Sequence, residues 1–458
     1  MSENPKNPGK VRRARKWARR GAATIAGNGF PLPTTQERGE GKGEGQPKNV
    51  QPVTTSPSPR PSPRSSLAGR GSEALRTFVF RRVRRKWAVA IALALAVVSV
   101  SGCQTLNFYG QAIKGQYQLL AHRRPVTKLL ADPATPARLK TQLELLQKLR
   151  AFAEKELKLP VDGRYAKYVD VHRPFVVWNV EAAREFSMEA RTWWYPLVGS
   201  LSYRGYFSEQ NATNYGASLR RDGYDVFVGG VEAYSTLGWF EDPVLNTFIF
   251  NPEPDLAETL FHELGHERVF ARSDTDFNEA FATTVGEEGA RRWLLATGDK
   301  AAHQKYLAGL ERTREFVRLT ATTRRRLESL YGDERTEEGK VKATKSKRAV
   351  SPEQLRQEKQ RILQQLRRDY AKLKEKWGGE NGYDAWFPHE VNNAQLNSVA
   401  AYYDLVPGFE HLLETAGGDL AKFYQEAERL SKMPKKERRH WLRTSGNGNG
   451  TKALDSKP

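Results

Sequence analysis

The chain has 458 residues, a formal charge of +21 and 38% apolar residues, ten tryptophans among them. That length and apolar share allow a substantial core and exclude a wholly unfolded chain. The charge suggests nucleic acid, but residues 1–102 carry 20 Lys and Arg against 5 acids, whereas the other 356 carry 54 against 48. The basic excess precedes the part that can fold, no basic-aromatic motif stands out, and we expect no nucleic-acid partner.

Residues 1–75 are Pro/Gly/Ser/Arg-rich ("TTSPSPRPSPRSS"), a composition that buries too little apolar surface to fold. Next comes "RRVRRKWAVAIALALAVVSVSGCQ", in which basic residues from Arg81 to Lys86 precede an uncharged apolar run, Ala88 to Val100. The run is shorter than the roughly 20 residues of a spanning helix and has the layout of a signal peptide, which we assign to 76–102. Signal peptides begin near the true start, so translation is expected to begin at Val79 or Val83. The single cysteine rules out an internal disulfide. "VSGC" resembles the bacterial lipobox, which implies that Cys103 takes a lipid and anchors the protein to a bilayer. Gln104 stands where an aspartate would retain a lipoprotein at the inner membrane. The expected place is therefore the cell envelope of a Gram-negative bacterium, on the outer membrane facing the periplasm.

Residues 103–160 read as a membrane-proximal helical segment, with Leu139, Leu143, Leu146 and Leu149 at helical spacing. Between Asp162 and Asp242, "RPFVVWNV", "WWYPLVGSLSYRGYF" and "YDVFVGGVEAYSTLGW" are β-branched and aromatic and punctuated by Gly and Pro, so strands are expected. Residues 161–298 join this β-rich region to a pair of helices. Residues 299–378 form a charged helical hairpin, Lys300 to Tyr331 and Pro352 to Trp377. In its second arm Leu355, Ile362, Leu366, Tyr370, Leu373 and Trp377 fall close to a heptad row, and the connector between the arms looks flexible. Residues 379–443 are a further helical region, and 444–458 a Gly/Asn/Lys-rich disordered tail. The fold class expected is α+β, mostly helical.

"PEPDLAETLFHELGHERVF" reads as one helix from Asp255 to Phe270, with Asp255 as N-cap and Glu258 as its capping-box partner. His262 and His266 stand four apart on one face, where both imidazoles can reach one ion, and Glu263 beside them can take a proton from water. Catalytic zinc needs three N or O ligands and leaves one place for water. Glu279, thirteen residues after His266, can return as the third ligand from the start of the next helix. Asp274, Asp276 and Glu287 are alternatives, since any carboxylate suits zinc.

"HELGHERVF…DTDFNEAFAT", "AYSTLGWFEDPVL" and "NNAQLNSVAAYYDLVPGF" together resemble the bacterial family of predicted lipoprotein aminopeptidases, from about Ser101 through Arg443. The resemblance implies a gluzincin-like Zn2+ peptidase: ligands His262, His266 and Glu279, and Glu263 as catalytic acid/base. The gap before Glu279 is shorter than in better-known gluzincins. In gluzincins a downstream Tyr or His donates to the oxyanion, which points to Tyr402 or Tyr403, with His389 behind them. Asn392 and Asn393 can bind substrate backbone or cap a helix near Ala394. Aminopeptidases must also hold a free α-ammonium, for which a carboxylate is the fitting partner; Glu232 in "GGVEAYST" is the candidate, although an exposed strand glutamate also fits. The reading is a zinc aminopeptidase acting on peptides. A zinc endopeptidase of the envelope and a non-catalytic lipoprotein scaffold with a structural metal are the alternatives.

Overall fold

The computed structural model describes residues 102–446 apart from 196–197, 234–240, 336–340, 344–350, 380–381 and 388–389. The expected extension and all but the last residue of the signal segment, most of "AYSTLGWF", much of the hairpin connector, His389 and the tail beyond Gly446 lie outside the described residues. Among the described residues, 102–110 and the chain from Gln111 onward fall in different units. Helix α1 (Gly102–Ala121) crosses that division, and no described helix is long and apolar enough to span a membrane.

Strand β1 (Arg124–Pro125), α2 (Val126–Ala131) and α3 (Ala137–Lys155) come next. The leucines at 139, 143, 146 and 149 are buried together with Ala153, so one stripe of α3 seats on the core. Burial of each such leucine contributes about 1.5–3 kcal/mol. β2 (Lys167–Val169) pairs antiparallel with β1.

The aromatic, β-branched stretch then builds a small sheet. β3 (Val177–Arg184) is its middle strand; β4 (Trp193–Tyr195) and β5 (Gly199–Leu201) form a separate hairpin; β6 (Tyr203–Tyr206) pairs antiparallel with β3. Helix α4 (Glu209–Arg221) carries the chain to β7 (Tyr224–Val231), which pairs antiparallel with the other edge of β3. The pattern left α4 unread, because "EQNATNYGASLRR" is polar and holds Asn and Gly. Its start is set instead by Ser208, whose side chain accepts from Asn211 N, and Gly216 lets it lie close on Val226 and Val228. β8 (Val244–Leu245) returns to pair in parallel with β2.

Two helices follow, α5 (Glu253–Arg268) and α6 (Thr275–Ala296), the most closely packed pair in the described chain. α5 starts earlier than its capping pattern suggests. Pro252 holds the N-cap without a side-chain bond, and Pro254 sits in the first turn, where its missing N–H costs nothing. Asp255 is therefore inside the helix, and Glu258 accepts from Tyr306 Oη at 2.9 Å rather than closing a capping box.

The hairpin arms are α7 (Lys300–Tyr331) and α8 (Pro352–Lys376). α7 ends on Gly332 at φ 70°, a left-handed C-cap that a Cβ would oppose, and α8 begins with a Ser351–Gln354 capping box. Part of the connector is ordered: β9 (Asp333–Arg335) and β10 (Val341–Ala343) pair antiparallel. Ile362, Leu366 and Tyr370 are buried with Phe316, Tyr383 and Trp386 in a core of their own, where Phe316 and Tyr383 stack at 4.2 Å.

Four helices close the fold: α9 (Asn393–Tyr403), α10 (Val406–Thr415), α11 (Leu420–Lys432) and α12 (Lys435–Gly446). The last runs three residues into the expected tail. α9 packs on α6, α7, β3 and β7, while α4 also lies on β3 and β7. Seven of the eight β3 residues are buried in consequence. The fold is α+β and mostly helical, with small sheets.

Candidate metal centre

Helix α5 is buried almost all round from Leu256 to His266, so its histidines face protein and not water. One turn apart, His262 and His266 bring their Nε2 atoms to 3.1 Å. Glu279, one turn into α6, places Oε2 at 3.5 Å from each of them. Two ligands held at roughly 2.0–2.1 Å by a tetrahedral ion stand about 3.3 Å apart. The three observed spacings bracket that value. Both Glu279 oxygens lack a hydrogen-bond partner, although the side chain is wholly buried. Three convergent donors, the carboxylate among them unpartnered, form a possible metal-binding triad, and the described residues hold no other such group.

Close helix packing makes the convergence possible. Gly286 lies seven residues, two turns, after Glu279 and so on the same face of α6. A Cβ there would stand 2.8 Å from Glu258 O and 3.0 Å from His262 Cβ, a distance real side chains avoid. The connecting loop is short and pinned. Asn278 accepts from Ala271 N at 2.7 Å and donates to Ala271 O at 3.0 Å. Asp274, buried at the head of α6, accepts from Arg438 and from Arg439, each at 2.8 Å. The Asn-Glu pair thus divides its work: the asparagine fixes the loop and the glutamate faces the histidines.

Asp274 and Asp276, the alternative ligands, are engaged elsewhere, Asp276 by Arg439 at 2.8 Å. Glu287 lies outside the triad.

Glu263 is buried beside the histidines with neither oxygen hydrogen-bonded. Burial pushes its carboxyl up to about 8 against the pull of His266, with Glu279, Asp242 and Glu267 adding to the rise. Glu279 goes the other way. Burial opposes its charge too, but the two imidazoles hold it below the usual carboxylate range. Two carboxylates on neighbouring helices are therefore shifted in opposite directions, the pattern that separates a cation ligand from a proton carrier.

α9 gives the two tyrosines different surroundings. Tyr402 is buried, its ring 6.4 Å from that of His262 and nearly parallel, and its hydroxyl has no hydrogen-bond partner. Burial and then Glu279 raise its phenol well above the ordinary value, so it stays a neutral donor. Tyr403 lies half-buried where the two hydrophobic cores meet. Asn392 is the α9 N-cap, accepting from Gln395 N at 3.0 Å and donating to Val226 O. Asn393 is wholly buried and donates to the carbonyls of Arg184, Glu185 and Ser187. Both asparagines are bound up in structure. Glu232, just past β7, accepts from Asn251 Nδ2 at 3.1 Å.

A cavity of about 590 Å3 lies between β3, the β4–β5 region, the first turn of α6 and α9. Its lining includes Glu181, Ser200, Ser202, Thr275, Asn397 and Ala401. Thr275 is one turn before Glu279, and Ala401 adjoins Tyr402. Glu181 was missed in the sequence. The available signal was a lone acid inside the apolar run "VVWNVEAA", since a carboxylate on a strand buried on both faces needs a reason to be there.

No curated protein and no solved structure shows significant similarity to the chain. The profile of one family, described as "Putative aminopeptidase", matches residues 107–442, a span that takes in both ligand-bearing helices, the cavity and α9. The chain belongs to that family.

Proposed function

We propose that the protein is a zinc peptidase that removes residues from the free N-termini of peptides. The observation that carries the proposal is a buried, unbonded carboxyl, Glu263, next to three convergent metal donors. The donor set of two imidazoles and one carboxylate, with its spacing, suits catalytic zinc. His262, His266 and Glu279 would hold the zinc, which would supply Lewis-acid chemistry there, activating a water and polarising the scissile carbonyl. Glu263 is the proton carrier: its unbonded carboxyl lies beside the donors, where it can accept a proton from water and hand it to the leaving amine. Tyr402 offers its free hydroxyl to the charge that develops on the carbonyl oxygen, a stabilisation present only in the transition state. The surrounding helices exclude bulk water, which strengthens both effects.

Family membership favours an exopeptidase over an endopeptidase. The basic-apolar-"VSGC" segment supports lipid on Cys103 and an outer-membrane protein facing the periplasm, where peptides are the substrates at hand. A purely structural metal site has no use for an unbonded base beside its ligands.

Glu263→Gln tests the mechanism. Zinc content should hold while hydrolysis of aminoacyl reporters falls by about 10²–10⁴-fold, and N-blocked peptides should resist the wild-type enzyme. Undiminished turnover in the variant would contradict the role of Glu263, and rapid cleavage of blocked peptides would turn the assignment to an endopeptidase.

A further inference from the structure

β3 is the middle strand of its sheet, and seven of its eight residues are buried. One of them, Glu181, is a carboxylate only 7% exposed, flanked in register by Tyr203 and Phe227 on the neighbouring strands. Its side chain lines the cavity described above. Three of the cations on that wall are engaged elsewhere: Arg324 with Asp404 at 3.3 Å, Lys435 with Ser273 O at 2.6 Å, and Arg439 with Asp274 and Asp276. No ion pair or hydrogen bond satisfies the Glu181 carboxylate among the described residues, and Glu279 stands near enough to oppose its charge. Burial and that neighbour push its carboxyl well above the usual range. A buried acid beside a second acid is costly unless a cation arrives with the ligand.

The substrate of an aminopeptidase brings such a cation. Its α-ammonium is attached to the carbon next to the scissile carbonyl, so the group that holds it must lie close to the metal donors and open onto the substrate cavity. Glu181 meets both conditions. Glu232, engaged by Asn251 and absent from the cavity lining, does not.

We propose that Glu181, on the wall of the cavity that also takes in the first turn of α6, anchors the substrate's free α-ammonium and makes the enzyme an aminopeptidase. The assignment rests on the zinc-peptidase reading above and names the residue behind its exopeptidase character. A rigid strand suits the role, because an anchor that fixes one end of a substrate must not itself move.

The test is calorimetric binding to the zinc-loaded protein of leucine hydroxamate and of isocaproyl hydroxamate, the same molecule without its amine. Both carry the metal-chelating group; only one carries the ammonium. Wild type should favour leucine hydroxamate by about 10- to 100-fold, the scale of a charge-assisted hydrogen bond. Glu181→Gln should abolish that preference and leave the isocaproyl affinity unchanged. If Glu181→Gln does not fold, Glu181→Asp should weaken leucine hydroxamate alone. Equal wild-type affinities, or a preference that survives in the variant, would overturn the proposal while leaving the metal site intact. Failure of wild type to bind either hydroxamate would remove the metal site and the proposal together.

Discussion

Glu263 and Glu279 are both buried carboxylates, yet their environments drive them in opposite directions. Glu279 faces two imidazoles and stays charged, whereas Glu263 is displaced towards neutrality. The pairing of His262 with His266 was legible in the sequence, because a four-residue interval on a helix fixes direction, whereas Glu279, across a loop, was one of four candidate carboxylates. The choice between Tyr402 and Tyr403 was not legible, since it depends on which face of α9 meets α6, and "NAQLNSVAAYY" is apolar on several sides. Tyr402 follows Gln395, Ser398 and Val399 along the buried face, and that phase turns it to His262. Tyr402→Phe removes only the hydroxyl. Steady-state kinetics should show kcat reduced about 10²–10³-fold, the loss typical of one oxyanion donor, with KM little altered. A matching loss for Tyr403→Phe would show that the wrong tyrosine has been assigned.

At the scale of elements, ligand geometry depends on how closely α5 and α6 approach. The row of leucines in α5 announced a buried helix, but nothing in a linear pattern announced that Gly286 is pressed on His262 and the carbonyl of Glu258. Gly286→Ala should force the helices apart, with an overpacking cost of about 1–3 kcal/mol. Glu279 would be displaced with them, so zinc titration should report an affinity at least tenfold weaker. Gly309→Ala, in α7 where a Cβ meets nothing within 4 Å, is the control; it should raise Tm, because the helix gains about 0.5–1 kcal/mol on replacing a glycine by alanine. Wild-type zinc affinity in Gly286→Ala would show that the close approach does not set the site. The α5 cap was misread for a related reason: an Asp three residues before a Glu matches a capping box, but two prolines had already begun the helix upstream.

Across the whole molecule, the readable parts were those governed by local periodicity. The hairpin arms α7 and α8, the leucine stripe of α3 and the strand-rich middle each repeat at the period of their element. What joins these parts was hidden. The parallel pairing of β2 with β8, the clamp of α12 on Asp274 and the placement of Glu181 beside α6 all link residues 75 or more apart in sequence. Such contacts leave no short-range pattern. They converge on one place, where the central strand, the two metal-donor helices and α9 meet, and the functional account stands or falls there. Metal analysis of the protein purified under zinc-replete conditions tests it most directly. We expect one zinc per chain, with His262→Ala and Glu279→Ala each folded but well below that stoichiometry; a folded wild-type protein that carries no zinc would contradict the account.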